Sequence, residues 1–339
     1  MFKEKEMTEI AIRTNNLCKY YGATHAVDGV TIDIPSGSIV GLVGKNGAGK
    51  TTLIRLLTGL TFPTSGTIEI LPGVERDDST VAALVEKPSI FSGMSAKENM
   101  THQCLLIGAE ASPKYIEDTL KLVGLDPSNK QKVKNYSLGM RQRLAIAMAL
   151  IAKPKLMLLD EPTNGLDPQG IHDMRELFVN INKERGVTLV VSSHILSELA
   201  KFATDFIIMD HGKIVKTFTA DELLNVGKKR IRLSVNDAQT AVSVLSALGK
   251  ATVVGDGKVE FEGDVPPTKL LLCLAENNVQ ADNLVNLGDS LEDYFFDILA
   301  DGSHAQNVGF DVFCGGESRA DSAENIAEQN DEDKGGNHE

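Results

Sequence analysis

A run of glycines with one lysine and one threonine stands between a predicted strand and a predicted helix. Residues 44–51 read Gly-Lys-Asn-Gly-Ala-Gly-Lys-Thr, after the apolar run 39–43 and before the helical apolar run 53–57. Glycine lets the backbone turn its amide N–H groups toward a polyphosphate without a Cβ in the way. The helix that follows adds its unsatisfied N-terminal amides. The pattern therefore predicts a phosphate-binding loop.

The polar side chains of this loop have separate predicted roles. Lys50 is placed to reach the β- and γ-phosphates as a point charge, the Thr51 hydroxyl to bind Mg²⁺, and Thr52 closes the first helical turn. An ordinary glycine turn is the alternative, and the strand-to-helix setting disfavours it. The predicted nucleotide-binding set is Gly44, Asn46, Gly47, Ala48, Gly49, Lys50, Thr51 and Thr52.

Two acids follow a second apolar strand, at residues 156–159. Carboxylates at the carboxyl end of a buried strand suit a Mg²⁺ site beside phosphates. Asp160 is predicted to hold Mg²⁺ through a water, and Glu161 to orient the attacking water or accept its proton. Such a pair alone is more often an acidic turn, but together with the loop it predicts nucleotide hydrolysis.

Length and composition limit the possible classes of protein. A chain of 339 residues can hold a large nucleotide-binding domain and a smaller second one. No stretch approaches the roughly 20 apolar residues of a membrane span, and the charged N-terminus does not resemble a signal peptide. These features predict a cytoplasmic protein. Four scattered cysteines, expected to be reduced thiols, are Cys18, Cys104, Cys273 and Cys314.

The negative charge is concentrated at the C-terminal end. Residues 301–339 hold ten acidic and two basic residues, more than half of the net charge of −13. Polar residues dominate this tail, which predicts disorder. The remainder is mildly acidic and shows no basic face, so no nucleic-acid partner is expected.

The periodicity of the chain changes along its length. Short alternating runs precede the loop, two more strands are predicted at 67–70 and 81–85, and residues 95–152 have helical periodicity opening on a capping-box pattern. A strand at 156–159, a helix at 168–184, a strand at 188–191 and a hairpin turning at 210–213 complete an α/β core. We expect a nucleotide-binding domain at 8–228 with a helical subdomain at about 95–152.

A second unit is predicted at 229–300. Its elements follow the order β-α-β-β-α-β, which indicates a ferredoxin-like α+β domain. A last helix at 290–299 carries Leu291, Tyr294, Phe295 and Ile298 on one side, a stripe more typical of a core or an interface than of a ligand site.

Three further motifs resemble those of one family. Residues 136–144 read Tyr-Ser-Leu-Gly-Met-Arg-Gln-Arg-Leu, residues 160–167 read Asp-Glu-Pro-Thr-Asn-Gly-Leu-Asp, and residues 192–194 read Ser-Ser-His. In this order they are similar to the signature, Walker B, D-loop and switch motifs of the ATP-binding-cassette (ABC) ATPases. The resemblance covers about residues 8–225. It implies an α/β P-loop NTPase core with an antiparallel β subdomain and a helical subdomain.

The resemblance implies further site residues and a dimer. Two copies would sandwich two ATP molecules, with Ser137 and Gly139 of one copy completing the phosphate site of the other. His194 would contact the γ-phosphate, and Asp167 would link the two sites. Tyr21 matches the aromatic residue that stacks on adenine, with a packed strand-end tyrosine as the alternative role and Tyr20 as the alternative candidate.

Two departures from the family pattern narrow the subgroup. The signature has Leu138 and Met140 where the family has glycine and glutamine, and Glu86 stands where the family has a glutamine that touches Mg²⁺. A carboxylate there can bind Mg²⁺ but adds negative charge near the γ-phosphate. With both departures, the chain resembles the subgroup of cassettes that export bacitracin-type and lantibiotic peptides.

The resemblance predicts a peripheral ATPase on the cytoplasmic side of the membrane, which uses ATP and Mg²⁺. Its partners would be a second copy and a separate integral membrane permease, docked at the helical insertion and the segment 86–99. The alternatives are a non-transport regulatory or mechanical ATPase, an importer subunit, and an exporter of multidrug or lipid-linked substrates.

Overall fold

The computed structural model describes residues 9–72, 80–85, 89–226, 230–255, 257–263 and 265–286, together with residues 291, 295, 298 and 299. Glu86 and the acidic tail at 301–339 lie outside these residues, as does Tyr294 in the last predicted helix. Among the described residues no helix is both long enough and apolar enough to cross a bilayer.

Thirteen strands are described. They are β1 (Ile10–Tyr21), β2 (Thr24–Pro35), β3 (Ile39–Val43), β4 (Ser65–Ile70), β5 (Val81–Leu84), β6 (Leu156–Leu159), β7 (Thr188–Ser193), β8 (Asp205–Asp210), β9 (Lys213–Thr219), β10 (Arg230–Val235), β11 (Lys250–Gly255), β12 (Lys258–Glu262) and β13 (Ala281–Asn286).

Nine α-helices are described within the same parts of the chain. They are α1 (Lys50–Leu57), α2 (Ala96–Ile107), α3 (Pro113–Leu122), α4 (Leu138–Leu150), α5 (Pro168–Arg185), α6 (Leu196–Leu199), α7 (Ala220–Val226), α8 (Ala238–Leu245) and α9 (Pro267–Glu276), with a short 3₁₀ helix at Val133–Asn135.

The central sheet has six strands in the order β5-β6-β7-β3-β8-β9. The first five are parallel, and β9 returns antiparallel to β8 through the hairpin predicted at 210–213. All residues of β3, β6 and β7 are buried. Such apolar strands, covered on both faces, are typical of a parallel sheet. The predicted α/β core is confirmed.

A three-stranded antiparallel sheet in the order β2-β1-β4 forms the predicted β subdomain. Its apolar side chains share one cluster with α1 and with alternate residues of the central sheet, including Ile12, Leu53, Leu158 and Val190. This cluster fixes the phosphate-loop helix between the two sheets.

The predicted helical insertion is formed by α2, α3, the 3₁₀ helix and α4. Helix α2 begins at a capping box, in which the N–H of Glu98 donates to the Ser95 hydroxyl and the N–H of Ser95 donates to the Glu98 carboxylate. Two donors that a helix start leaves unpaired are thereby satisfied.

The C-terminal unit is a four-stranded antiparallel sheet in the order β11-β12-β10-β13. Together with the observed β-α-β-β-α-β order, this confirms the ferredoxin-like arrangement. Alternate strand residues such as Leu233 and Phe261 pack with Leu245, Leu270 and Leu274 of α8 and α9. The unit therefore has a core of its own.

The four described residues beyond β13 do not join that core. Phe295, Ile298 and Leu299 are buried in the large cluster that contains Phe178 and Leu223 of the first domain, and Leu291 packs against it. Three of the residues in the predicted apolar stripe therefore take a core role, while Tyr294 lies outside the described residues.

The capping box gives a pH-dependent prediction. Backbone hydrogen bonding from Ser95 and the nearby Lys132 ammonium hold the pKa of Glu98 at about 2. The folded-state pKa lies below the unfolded value of about 4.3. The stability that the ionised Glu98 carboxylate contributes is therefore fully present above the unfolded pKa of about 4.3. It is lost as pH falls toward the folded-state pKa of about 2.

We expect Glu98→Gln, which keeps an acceptor but removes the charge, to be less stable than the unaltered chain between pH 7 and about 5.5. The difference should shrink below about pH 4.3. Urea unfolding across this range measures it. Asp118→Asn, at an exposed acid in α3, is the control, and a constant Glu98→Gln difference would contradict the assignment.

Candidate active site

The site lies where three neighbouring strands of the central sheet end. Strand β7 lies between β3 and β6, and all three are parallel. The phosphate loop follows β3, the two acids follow β6, and His194 follows β7. The strand order therefore brings together three segments that are far apart in sequence.

The loop backbone requires glycine at two positions. Gly49 caps α1 at a φ of 106°, where a Cβ would collide with the carbonyl oxygen of Ala26. A Cβ on Gly44 would lie 2.5 Å from the carbonyl oxygen of Met209. Gly47 has a φ of 85° but free space around it. The loop is therefore held close to its neighbours on one side.

The loop lines an open cavity of about 440 Å³. Every predicted loop residue except Gly44 lines it, and Glu161 faces it from the acid strand. The lining residues are Thr24, His25, Ala26, Lys45, Asn46, Gly47, Ala48, Gly49, Lys50, Thr51, Thr52, Glu161 and His211. A cavity rimmed by backbone amides and one helix start suits a polyphosphate.

The Lys50 ammonium is enclosed by the loop. Its Nζ donates to the carbonyl oxygens of Gly44, at 2.7 Å, and Lys45, at 3.3 Å. Oε1 of Glu161 lies 3.3 Å from the same Nζ. Lys50 is only 6% exposed, so its charge is held at a fixed position rather than on a mobile side chain.

Thr51 and Asp160 meet at the predicted metal position. The Thr51 hydroxyl donates to Oδ2 of Asp160 at 2.7 Å. Among the described residues there is no cluster of three or more His, Cys, Asp or Glu that could hold a metal. One carboxylate and one hydroxyl beside a phosphate cavity fit Mg²⁺, which takes few protein ligands and keeps phosphate oxygens and waters.

Glu161 lies between two groups that can carry positive charge. Its Oε1 faces Lys50, and its Oε2 lies 3.1 Å from Nδ1 of His194. An ionised carboxylate only accepts, so the Nδ1 atom carries the proton in this contact. Oε1 is buried and accepts no hydrogen bond from any described residue, so the Lys50 ammonium is the charged group that it faces.

The sequence reasoning missed Ser192 as a separate site residue. Its hydroxyl donates to Oδ1 of Asp160 at 2.7 Å and accepts from the backbone N–H of Glu161 at 2.8 Å. The available signal was a hydroxyl at the end of an apolar, fully buried strand, where a polar group needs a partner.

Tyr21, which is predicted to stack on adenine, lies outside the lining of the cavity. Tyr21 is half exposed, with Lys19 over its ring at 5.0 Å. His25 does line the cavity, and its ring stacks on Tyr20 with the centroids 4.1 Å apart.

Tyr20 is fixed by its hydroxyl. Hydrogen bonds to Cys18 and to Asp28 raise its pKa, and its OH donates to Asp28 at 2.9 Å. Sequence could not separate two adjacent tyrosines. The structure shows Tyr20 as the support of His25 and Tyr21 as the exposed ring.

The residues predicted to act on a second copy lie at two helix starts. Ser137 caps α4 and accepts from the N–H of Met140, and Asp167 caps α5 and accepts from the N–H of Gly170. Gly139 lies in the first turn of α4, where an added Cβ would touch Leu166. The two starts therefore pack against each other, away from the lining of the phosphate cavity. Their roles stay predictions, as does that of Glu86, which lies outside the described residues.

Comparison with known proteins gives consistent matches. The family model described as ABC transporter matches residues 27–164. The Bacitracin transport ATP-binding protein BcrA of Bacillus licheniformis is 36% identical over 86% of this chain and 98% of its own length. The Lantibiotic transport ATP-binding protein SrtF of Streptococcus pyogenes is 44% identical over 60% of this chain and 89% of its own length.

Solved structures of similar fold include the ATP-binding cassette MJ0796, in a dimeric post-hydrolysis state bound to ADP and Pi. It matches with a TM-score of 0.55 and 25% identity, over 62% of this chain and 98% of that one. The resemblance stated from the sequence motifs is confirmed.

Gly47 and Gly49 both have positive φ angles, but only at Gly49 would an added Cβ meet other atoms, so the two positions can be compared directly. We expect Gly47→Ala to cost about 1–2 kcal/mol of unfolding free energy, the strain of a side chain at positive φ. We expect Gly49→Ala to cost more and to abolish ATP binding, because its Cβ also collides with Ala26. Urea unfolding and fluorescent-nucleotide titration measure both effects. Equal stability and affinity in the two variants would show that the collision is relieved by movement of the loop.

Proposed function

The chain belongs to the ABC transporter ATPase family, and from this premise we propose that it powers export of an antimicrobial peptide of the bacitracin or lantibiotic class. As the ATP-binding subunit of an ABC transporter, it would act through a separate membrane-spanning permease. The observation that carries the choice of substrate is the length of the similarity to BcrA, which runs beyond the ATPase domain.

The reaction is hydrolysis of ATP to ADP and phosphate. A water attacks the γ-phosphorus, the bond from that phosphorus to the bridging oxygen of ADP breaks, and the proton of the water is taken up by Glu161 or passed to phosphate. Glu161 suits this role because it lines the cavity beside the phosphate loop and its Oε1 accepts no hydrogen bond from any described residue. His194, in contact with Oε2, would orient the carboxylate and contact the γ-phosphate.

The remaining loop residues would bind the nucleotide. Lys50 would transfer its donors from loop carbonyls to phosphate oxygens, and the loop amides would bind the phosphate chain. Thr51 and Asp160 would hold Mg²⁺, which offsets charge on the phosphates when it is bound. Glu86 at the usual glutamine position would add a third oxygen ligand. Tyr21 would stack on adenine.

Two copies would form the working unit. The proposal places Ser137 and Gly139 of one copy against the γ-phosphate bound by the other, with Asp167 between the sites. A hydroxyl and an amide at the start of α4 are suitable donors for a phosphate. Closure would then depend on ATP, and hydrolysis would reopen the dimer.

The permease would dock on the helical insertion. The last turn of α2 carries Leu105 and Leu106, which are 72% and 67% exposed. Adjacent exposed leucines at a helix end are unusual on a free surface and suit a protein contact. With the segment 86–99, this surface would place the chain at the cytoplasmic face of a membrane.

A non-transport regulatory ATPase is the main alternative, because the hydrolysis site alone does not require a permease. Co-purification with a multi-span membrane protein would favour transport. Export of a multidrug or lipid-linked substrate would leave the same site and change only the partner.

For Glu161 we expect a separation of binding from hydrolysis. Glu161→Gln keeps the size of the side chain and loses the base, so ATP should bind with little change while hydrolysis slows at least about 100-fold. Phosphate release measures the hydrolysis rate, and nucleotide titration of the same preparation measures ATP binding. Unchanged turnover would remove Glu161 from this role.

Transport can be tested by survival of a sensitive host. The chain is expressed with and without candidate membrane partners, and growth is measured against bacitracin, a lantibiotic and an unrelated toxic compound. We expect protection against a peptide that needs the partner and is lost in Lys50→Ala.

Lys201→Ala, at an exposed lysine outside the cavity, is the control and should protect fully. Active hydrolysis without protection against either peptide would reject peptide export and favour another substrate or the regulatory role.

A further inference from the structure

We propose that Ser192 is a positioning residue for hydrolysis, because one hydroxyl fixes both Asp160 and Glu161. The proposal rests on the ATPase chemistry assigned above and adds a residue to that site. It does not depend on the transported substrate.

Ser192 lies on β7, between the strand that leads to the phosphate loop and the strand that leads to the acids. Its side chain is fully buried. The hydroxyl donates to Oδ1 of Asp160 at 2.7 Å and accepts from the N–H of Glu161 at 2.8 Å. It therefore uses its one proton on one acid and an oxygen lone pair on the backbone of the next residue.

The bond to Asp160 determines how that carboxylate is turned. Ser192 binds Oδ1, while Thr51 binds Oδ2 at 2.7 Å. Each carboxylate oxygen of Asp160 therefore has its own partner, and Oδ2 is the oxygen that faces the phosphate loop. Without the Ser192 hydroxyl, the carboxylate would be free to rotate away from the Thr51 side. Groups that orient a metal-binding carboxylate act in this way.

The bond to Glu161 holds an unfavourable backbone conformation. Glu161 has a φ of 47°, in the left-handed region that residues with a Cβ rarely adopt. Its N–H points to Ser192 in this conformation. The same conformation places its carboxylate 3.3 Å from the Lys50 ammonium and 3.1 Å from Nδ1 of His194. Strained residues held by neighbours in this way are concentrated at functional sites.

A simple structural role is the alternative, since any buried hydroxyl needs a partner. The adjacent Ser193 provides the comparison. It lies on the same strand and is 2% exposed, but its hydroxyl accepts from the N–H of Ile195 at 3.1 Å. Ser193 therefore matches Ser192 in size and burial without bonding to either acid.

The test compares Ser192→Ala with Ser193→Ala in the full-length chain. We expect Ser192→Ala to lower kcat about 10- to 100-fold, the usual effect of losing an orienting partner. Its affinity for fluorescent ATP in EDTA should stay within about threefold, because the loop and Lys50 are untouched. Ser193→Ala should keep kcat within about threefold. Equal kcat in both variants would overturn the proposal.

Two readouts separate positioning from a general loss of structure. Hydrogen exchange of a peptide covering residues 157–163 should speed up in Ser192→Ala and not in Ser193→Ala. In a Glu161→Gln background, Ser192→Ala should lower the residual rate by a smaller factor than in the unaltered chain. The proposal would be contradicted if hydrogen exchange of this peptide were unchanged in Ser192→Ala. It would also be contradicted if Ser192→Ala lowered the rate by the same factor with and without Glu161→Gln.

A second pair keeps the test valid if Ser192→Ala does not fold. Ser192→Thr and Ser192→Val have the same shape and differ in one hydroxyl. Hydrolysis should be faster in the threonine variant by about 10-fold or more, and equal rates would overturn the proposal. Failure of export in cells, with these differences intact, would reject the proposed substrate and leave the role of Ser192 unaffected.

Discussion

The position of β7 between β3 and β6 is the constraint on which the site depends. Backbone hydrogen bonds hold neighbouring strands about 4.8 Å apart, so whatever follows these three strands must meet. The polyphosphate loop, the two acids and His194 are therefore juxtaposed by the sheet rather than by contacts of their own. The middle strand also carries Ser192, from which both acids are within hydrogen-bonding distance.

Local patterns predicted most of the fold. The apolar run before residues 44–51, the acids after 156–159 and the β-α-β-β-α-β order all reflect short-range periodicity, and each element is present in the structure. The antiparallel order of the C-terminal strands followed from that element order. Several limits differ by one or two residues: β4 begins at Ser65 rather than at 67, β5 ends at Leu84 rather than at 85, and β7 runs to Ser193 rather than to 191. Such limits depend on the partner strand.

Features that depend on distant contacts could not be predicted in this way. Which of Tyr20 and Tyr21 is held in place depends on Asp28 and His25, which no spacing rule links to them. The proposed role of Ser192 depends on its lying beside the end of β6, at Leu159, which is 33 residues earlier in the chain (192 − 159). The roles proposed for Ser137, Gly139 and Asp167 would need a second copy, so one chain gives only their positions.

The return of the chain to the first core changes how the C-terminal unit is attached. Phe295, Ile298 and Leu299 are anchored among side chains of the ATPase domain, so the four-stranded sheet is tethered at both of its ends. A pendant module could swing on one linker and be deleted without consequence. A doubly tethered one has a restricted range of orientations, and removing everything after α7 would strip the three buried side chains of Phe295, Ile298 and Leu299 from the ATPase core itself.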